Sequence, residues 1–345
     1  MNFVLINLGK YMKVNLDLAS RLSVAPMMDW TDRHCRYLHR LLSKRALLYT
    51  EMVTSPALVR GQASHLLRFN PLEQPVALQL GGSDPAELAI AAVMGANEGY
   101  SEINLNVGCP SDRVQSGHFG AVLMEQPALV AQCCAAMIKA QPSEVTVKCR
   151  IGVDDQDPEI VLPEFLAHIV GVGVTRVTIH ARKAWLKGLS PKENRDIPPL
   201  DYDLVLRMKE LFPNLHISIN GGVASLEHAK ALLDLGLDGV MIGRAAYHKP
   251  TDILKRADAV IWGDDEGPDP LDIVLQMRSY IDAHTVDQSL GGGKLAHVTK
   301  HMMGLFAGQP GSRQWRRYLS ENAHREGASW AVVEDALAAM KQLSA

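Results

Sequence analysis

Short apolar runs recur along the chain, each followed by a longer stretch whose apolar positions repeat at helical spacing. Eight runs read as strands: Leu22–Pro26, Leu47–Met52, Pro75–Leu80, Glu102–Asn106, Glu144–Cys149, Arg176–His180, His216–Asn220 and Gly239–Gly243. Between them, amphipathic stretches such as Asp84–Asn97, Pro127–Ala140, Pro158–Val170, Asp201–Leu211 and Ser225–Leu235 read as helices. Strands alternating with helices of this length pair in parallel. Eight such units, the last ending near residue 250, predict an α/β fold closed into a (β/α)8 TIM barrel. An open doubly wound sheet should leave its edge strands less hydrophobic than these. Helix starts carry their own signals: Ser83-Asp84-Pro85 places a capping side chain and an early proline where free N–H groups need them. Ser225 opens the next such segment in the same way.

No strand pattern continues beyond residue 256. The acidic stretch from Gly263 to Pro270 reads as a linker, followed by helical patterns at Leu271–Thr285, Lys294–Phe306, Arg313–Asn322 and Ala328–Lys341. The expected organisation is a catalytic barrel over residues 20–256 and an all-helical C-terminal domain over residues 257–345.

Composition narrows the class further. The 345 residues are 47% hydrophobic, enough for a barrel, which normally needs about 250 residues, plus a smaller domain. A formal charge of −3 argues against a general nucleic-acid coat but leaves room for a local basic surface. Five cysteines with no C-x-x-C pair make disulfides and a structural metal site poor readings and suit a reducing cytoplasm. The first eleven residues precede a second Met, Met12, and read as an extension or an upstream start rather than a secretory signal. No apolar run approaches the roughly 20 residues of a membrane span.

Chemistry concentrates at the strand ends, the catalytic rim of such a barrel. Asn104-Leu105-Asn106-Val107-Gly108-Cys109-Pro110-Ser111 holds a thiol on a turn between Gly and Pro, as a nucleophile or a proton donor. An ordinary thiol, with a pKa near 8.5, is mostly protonated at neutral pH and can donate. The bland alternative is a buried structural cysteine, the reading that suits Cys35, Cys133 and Cys134 in helical patterns. In Thr146-Val147-Lys148-Cys149-Arg150, alternation turns Lys148 and Arg150 the same way, opposite Val147 and Cys149. Thr178-Ile179-His180-Ala181-Arg182 repeats the arrangement with His180 as a donor and Arg182 as an anion contact, and Gln79 stands where it can read a heterocycle edge. Asn220-Gly221-Gly222 and Gly243-Arg244 end the last two strands, where barrels frequently hold phosphate. Residues alone thus lead to a barrel enzyme with a phosphate-bearing ligand, a rim thiol and a cationic cluster. A flavin, a phosphosugar and a nucleotide satisfy the loops equally.

The set Val24-Ala25-Pro26-Met27-Met28-Asp29-Trp30-Thr31-Asp32, Asn104 to Ser111, Val147 to Gly152, Ile179 to Arg182, Asn220 to Gly222 and Ile242 to Arg244 resembles the tRNA-dihydrouridine synthases over about residues 20–340. The stretch from Ala181 to Arg195 looks like the subgroup A enzymes, which act on positions 20 and 20a of the tRNA D-loop. The resemblance implies FMN on top of the barrel, reduced by NADPH. It also implies hydride transfer from flavin N5 to C6 of uridine, with Cys109 as the general acid protonating C5. By motif, Pro26, Met27, Met28 and Gln79 would line the flavin. Lys148 and His180 would meet both flavin and uracil, and Asn220, Gly221, Gly222, Gly243 and Arg244 would hold the phosphate. Asn106, Arg182 and Lys183 would contact the substrate, and no metal is implied.

A tRNA substrate also gives the tail a purpose. Lys294, Lys300, Arg313, Arg316 and Arg317, interleaved with His297, His301, Trp315 and Tyr318, read as a basic face carrying aromatics for an RNA backbone. Lys183, Lys187, Lys192 and Arg195 form a second basic cluster. The family implies a monomer. The competing readings are an FMN-dependent ene reductase of a free small molecule and a non-catalytic tRNA-binding or remodelling protein.

Overall fold

The computed structural model describes residues 15–286 and 293–341; the extension expected over the first eleven residues lies outside the described residues. Eight parallel strands form the barrel: β1 (Leu22–Val24), β2 (Leu48–Tyr49), β3 (Val76–Gly81), β4 (Glu102–Val107), β5 (Glu144–Arg150), β6 (Arg176–His180), β7 (His216–Asn220) and β8 (Gly239–Ile242). Their order in the sheet runs β1-β8-β7-β6-β5-β4-β3-β2. A parallel bridge from Ser23 to Leu47 brings the two ends together. The expected barrel is therefore present, and each strand falls within the segment predicted for it or extends it by a residue.

One strand departs from its prediction. Leu47–Met52 reads as continuous, but the ladder to β3 pairs Leu48 with Val76, breaks, and resumes with Val53 opposite Leu80. The extra residue bulges the strand. Thr50 stays in register, its N–H reaching Ala77 O at 3.0 Å, while the Glu51 carboxylate turns to accept the Asp29 N–H at 2.5 Å.

Period-two alternation sorts the barrel walls into two environments. Outward residues such as Leu105, Val147, Ile179, Ile219 and Val240 are fully buried against the helices, each worth about 1.5–3 kcal/mol in removed apolar surface. Inward residues of β4 to β7 are mostly polar: Glu102, Asn104, Asn106, Thr146, Lys148, Arg176, Thr178, His180, Ser218 and Asn220. The helices are set by the caps the sequence promised. Asp84 accepts from Ala86 and Glu87 N–H at 2.9 Å each, opening Pro85–Glu98, and Ser225 accepts from His228 N–H at 3.1 Å.

Among its described residues the tail carries helices and no strand: α1 (Pro270–Val286), α2 (Leu295–Met302), α3 (Ser312–Asn322) and α4 (Trp330–Lys341). Its core corrects one expectation. Trp315 does not lie on the basic face; it is fully buried, with Nε1 donating to Met302 O at 3.0 Å and its ring edge-on to Phe306. Helical spacing explains why: Trp315 and Leu319 share the inward stripe, whereas Arg313, Arg316 and Arg317 project outward. His301 is likewise interior. No described helix is long and apolar enough to cross a membrane.

Barrel and tail meet through ring contacts such as Tyr37 on Tyr280, hydrogen bonds such as His34 to Tyr280 OH at 2.8 Å, and a shared carboxylate. Asp32 caps helix Arg33–Leu42, accepting the His34 and Cys35 N–H groups at 2.9 and 3.0 Å. The same carboxylate faces His301 at 2.9 Å and Lys300 at 3.1 Å from the tail. Burial opposes its ionisation, but His301 and the capping N–H groups outweigh this and hold it well below the usual carboxylate range. On the capped helix, burial pushes the His34 and His39 imidazoles each down to about 3, against about 6.5 in an unfolded chain. The unfolded state thus binds protons that the folded state refuses, so stability present above pH 6.5 is lost as pH falls toward 3. Thermal melts between pH 7 and 4 should show a progressive fall, each histidine contributing up to about 1.4 kcal/mol per pH unit. His39→Leu should flatten that slope; an unchanged slope would show that His39 is not excluded from protonation.

Candidate active site

The strand ends surround a cavity of about 820 Å³, within the range of roughly 300–1,000 Å³ that takes a nucleotide-sized ligand. Its lining includes Pro26, Met27, Met28, Gln79, Asn106, Cys109, Lys148, His180, Asn220, Gly221, Gly222, Gly243 and Arg244. The structure therefore brings together every site residue expected from the sequence except two. Arg182 donates to Pro198 O, and Lys183 Nζ donates to Asp154 O at 2.7 Å and Gln156 O at 3.2 Å while lying over the Trp185 ring. Both bind the loop after β6 to its neighbours and neither lines the cavity.

Cys109 is half-buried, unlike the other four cysteines, which are buried. Its turn is held from three directions. Asn106 Oδ1 accepts the Gly108 and Cys109 N–H groups at 3.1 and 3.0 Å, and Cys109 O accepts the Ala121 N–H at 2.9 Å. The thiol itself faces Ser111 Oγ at 3.5 Å. Glycine is required opposite: Gly120 has φ +76°, and a Cβ there would stand 2.6 Å from Cys109 O.

Beside the thiol turn lies a cationic wall. Arg150 donates to Gly108 O at 2.9 Å, Lys183 O at 2.9 Å and Asn194 O at 3.1 Å, tying the thiol loop to the loop after β6. Burial, reinforced by Arg150, lowers Lys148 to about 8. Burial and then the surrounding Arg150, Lys148, Arg182 and Arg195 keep His180 well below its ordinary value, so its ring stays neutral at pH 7. His180 Nδ1 is buried with no hydrogen-bond partner among the described residues, an unsatisfied polar atom on a residue that lines the cavity. At the far end Gly221 and Gly222 take φ +109° and +72°, the left-handed region that favours glycine. Arg244 stands beside them, paired with Asp196 at 2.8 Å where both are about half exposed.

The sequence reading missed part of this lining. Trp30, stacked on Tyr247 with centroids 4.5 Å apart, and Met52, His248 and Lys249 also face the cavity. Met52 arrives by the bulge, which no pattern signals. Arg150, which alternation turns the same way as Lys148, lines the cavity as well.

The chain matches the family model described as Dihydrouridine synthase (Dus) over residues 23–342. It is 56% identical to the tRNA-dihydrouridine(20/20a) synthase of Salmonella typhi, covering 92% of this chain and 95% of that one. It is 55% identical to the enzyme of the same name from Escherichia coli (strain K12), covering 94% and 93%. An old yellow enzyme homologue from Zymomonas mobilis is similar in fold, with a TM-score of 0.50 at 12% identity over 67% of this chain and 86% of that one. The family match spans nearly the whole chain, and the chain belongs to the dihydrouridine synthase family of enzymes.

Proposed function

We propose that this chain reduces uridines 20 and 20a in the D-loop of tRNA to 5,6-dihydrouridine, using FMN and NADPH. One observation carries the reading: the only half-buried thiol, Cys109, faces the same cavity as the paired glycine loops and Lys148. The cavity fits FMN in chemistry as well as size. Gly221, Gly222, Gly243 and Arg244 offer close backbone and a cation to a phosphate, while Gln79 and the unpartnered His180 Nδ1 offer polar atoms to a heterocycle. Pro26, Met27 and Met28 offer an apolar wall.

FMN held here by Gly221, Gly222, Gly243 and Arg244 would supply the hydride for C6 of the uracil ring, with NADPH as its reductant. The remaining steps belong to the protein. Cys109 holds the proton destined for C5, on a turn fixed by Asn106. Lys148 and His180 face the charge that builds on the reacting ring. Asn106 has its oxygen committed to the thiol turn, so its role toward the base runs through that turn. The base must leave the D-loop stack to enter. The exposed cations Lys187, Lys192 and Arg195 beside the mouth, and Arg313, Arg316 and Arg317 on the tail, suit the RNA backbone around it. Arg182 and Lys183 act by shaping the loop that carries the first group. Free thiols suit a cytoplasmic enzyme, and we propose that it works as a monomer.

Purified protein incubated with NADPH and unmodified tRNA should yield dihydrouridine at 20 and 20a. Cys109→Ala should retain FMN and lose on the order of 10²–10⁴ in rate. Flavin binding without any tRNA product would turn the assignment toward a small-molecule ene reductase. Lys148 carries its charge below its pKa of about 8 and loses it above, so the wild-type rate should decline between pH 7.5 and 9. Lys148→Met should be slow and decline less steeply than wild type over that range. A wild-type profile level through pH 9 would remove Lys148 from the charge-stabilising role.

A further inference from the structure

A chain of side-chain hydrogen bonds runs through the barrel interior from its floor to the thiol turn, crossing β3, β4 and β5. At the floor, Glu102 is fully buried and ion-paired to Arg176 at 2.9 Å. Thr146 Oγ1 and Tyr49 OH both donate to Glu102 Oε1. Asn104 Nδ2 donates to Thr146 Oγ1 at 2.8 Å. Gln79 Nε2 donates to Asn104 Oδ1, and Asn106 Nδ2 to Gln79 Oε1, each at 2.8 Å. Asn106 Oδ1 then accepts the Gly108 and Cys109 N–H groups.

The direction of every link follows from its ends. A side-chain amide is nearly symmetric in shape, so only its neighbours decide which way it faces. The ion-paired carboxylate accepts, which commits the single Thr146 hydroxyl hydrogen downward. Thr146 Oγ1 can then only accept from Asn104, whose NH2 must face it and whose oxygen must face Gln79. The same logic turns Gln79 Oε1 toward Asn106 and Asn106 Oδ1 toward the turn. At the upper end, the Gly108 and Cys109 N–H groups can only donate and demand that same oxygen. Both ends impose one polarity, and bonds aligned in one sense strengthen each other.

We propose that Thr146 and Asn104 are positioning residues for the active site. Anchored on Glu102, they fix which edge of its amide Gln79 presents to the cavity and hold the Asn106 oxygen on the Cys109 turn. By its donor inventory, Gln79 retains one Nε2 hydrogen and one Oε1 lone pair for a ligand. Reversal of the chain exchanges donor for acceptor there and releases the thiol turn.

The test reads both ends of the chain in flavin-free protein: the dissociation constant of added FMN, and the rate at which iodoacetamide alkylates Cys109, the other cysteines being buried. The FMN readout rests on the proposed cofactor, whereas the alkylation readout does not. Thr146→Val should weaken FMN binding by about 3–10-fold and speed Cys109 alkylation, and Thr146→Ser, which keeps the hydroxyl, should restore both. Asn104→Leu should reproduce the loss. In that background Thr146→Val should add nothing further, because its effect travels through Asn104. Effects that multiply in the double variant, or a folded Thr146→Val protein matching wild type in both readouts, would overturn the proposal. Should wild-type protein fail to bind FMN, the cofactor reading falls while the alkylation rates still decide the wiring.

Discussion

A closed barrel admits little water to its interior, so each polar side chain that alternation turns inward must find its partner in the protein. That constraint governs the whole molecule. β4 alone sends Glu102, Asn104 and Asn106 into the barrel, and all three are buried. An unpaired group of this kind costs about 1–3 kcal/mol, and an unpaired charge more. The pairing of Glu102 with Arg176, and of Arg176 with Glu144 at 2.6 Å, makes the polar interior tenable. The outward face of the same strands meets the ordinary demands of apolar packing. Two environments on one sheet let a stable shell carry a reactive interior.

The electrostatics of the site follow from the same enclosure. Lys148, Arg150, Arg195 and Arg244 border one cavity with few carboxylates to offset them, and Asp196, the partner of Arg244, lies in the exposed part. Such a field favours anions and disfavours another proton on His180. The lowered Lys148 and the neutral His180 are thus two results of crowding positive groups into a space of low polarity.

Much of this was legible in the sequence because period-two alternation and capping signals are local. The strand segments, the Asp84 and Ser225 caps, and the shared orientation of Lys148 and Arg150 needed only neighbours along the chain. The glycine loops carried their meaning in residue type alone. Other features depend on distant partners. Nothing near Arg182 or Lys183 reveals the carbonyls of Pro198, Asp154 and Gln156 that engage them. Trp315 sits among cations in the sequence, but the helical stripe it shares with Leu319 turns it inward while Arg313, Arg316 and Arg317 face out. The bulge at Glu51–Met52 rests on a one-residue mismatch between two strands, which a single strand cannot display.

Asp32 serves two masters. It completes the first turn of Arg33–Leu42 and receives His301 and Lys300 from the tail. Lys300 also donates to Asp29 O at 3.2 Å, on the loop that carries Met27, Met28 and Trp30. Swinging the tail away from the barrel therefore uncovers a half-buried carboxylate and loosens a wall of the cavity in the same movement. Barrel and tail are coupled as by a clasp and not as by a hinge. Separating them must break these contacts together, which makes it a cooperative opening rather than the free rocking of a linker-joined pair.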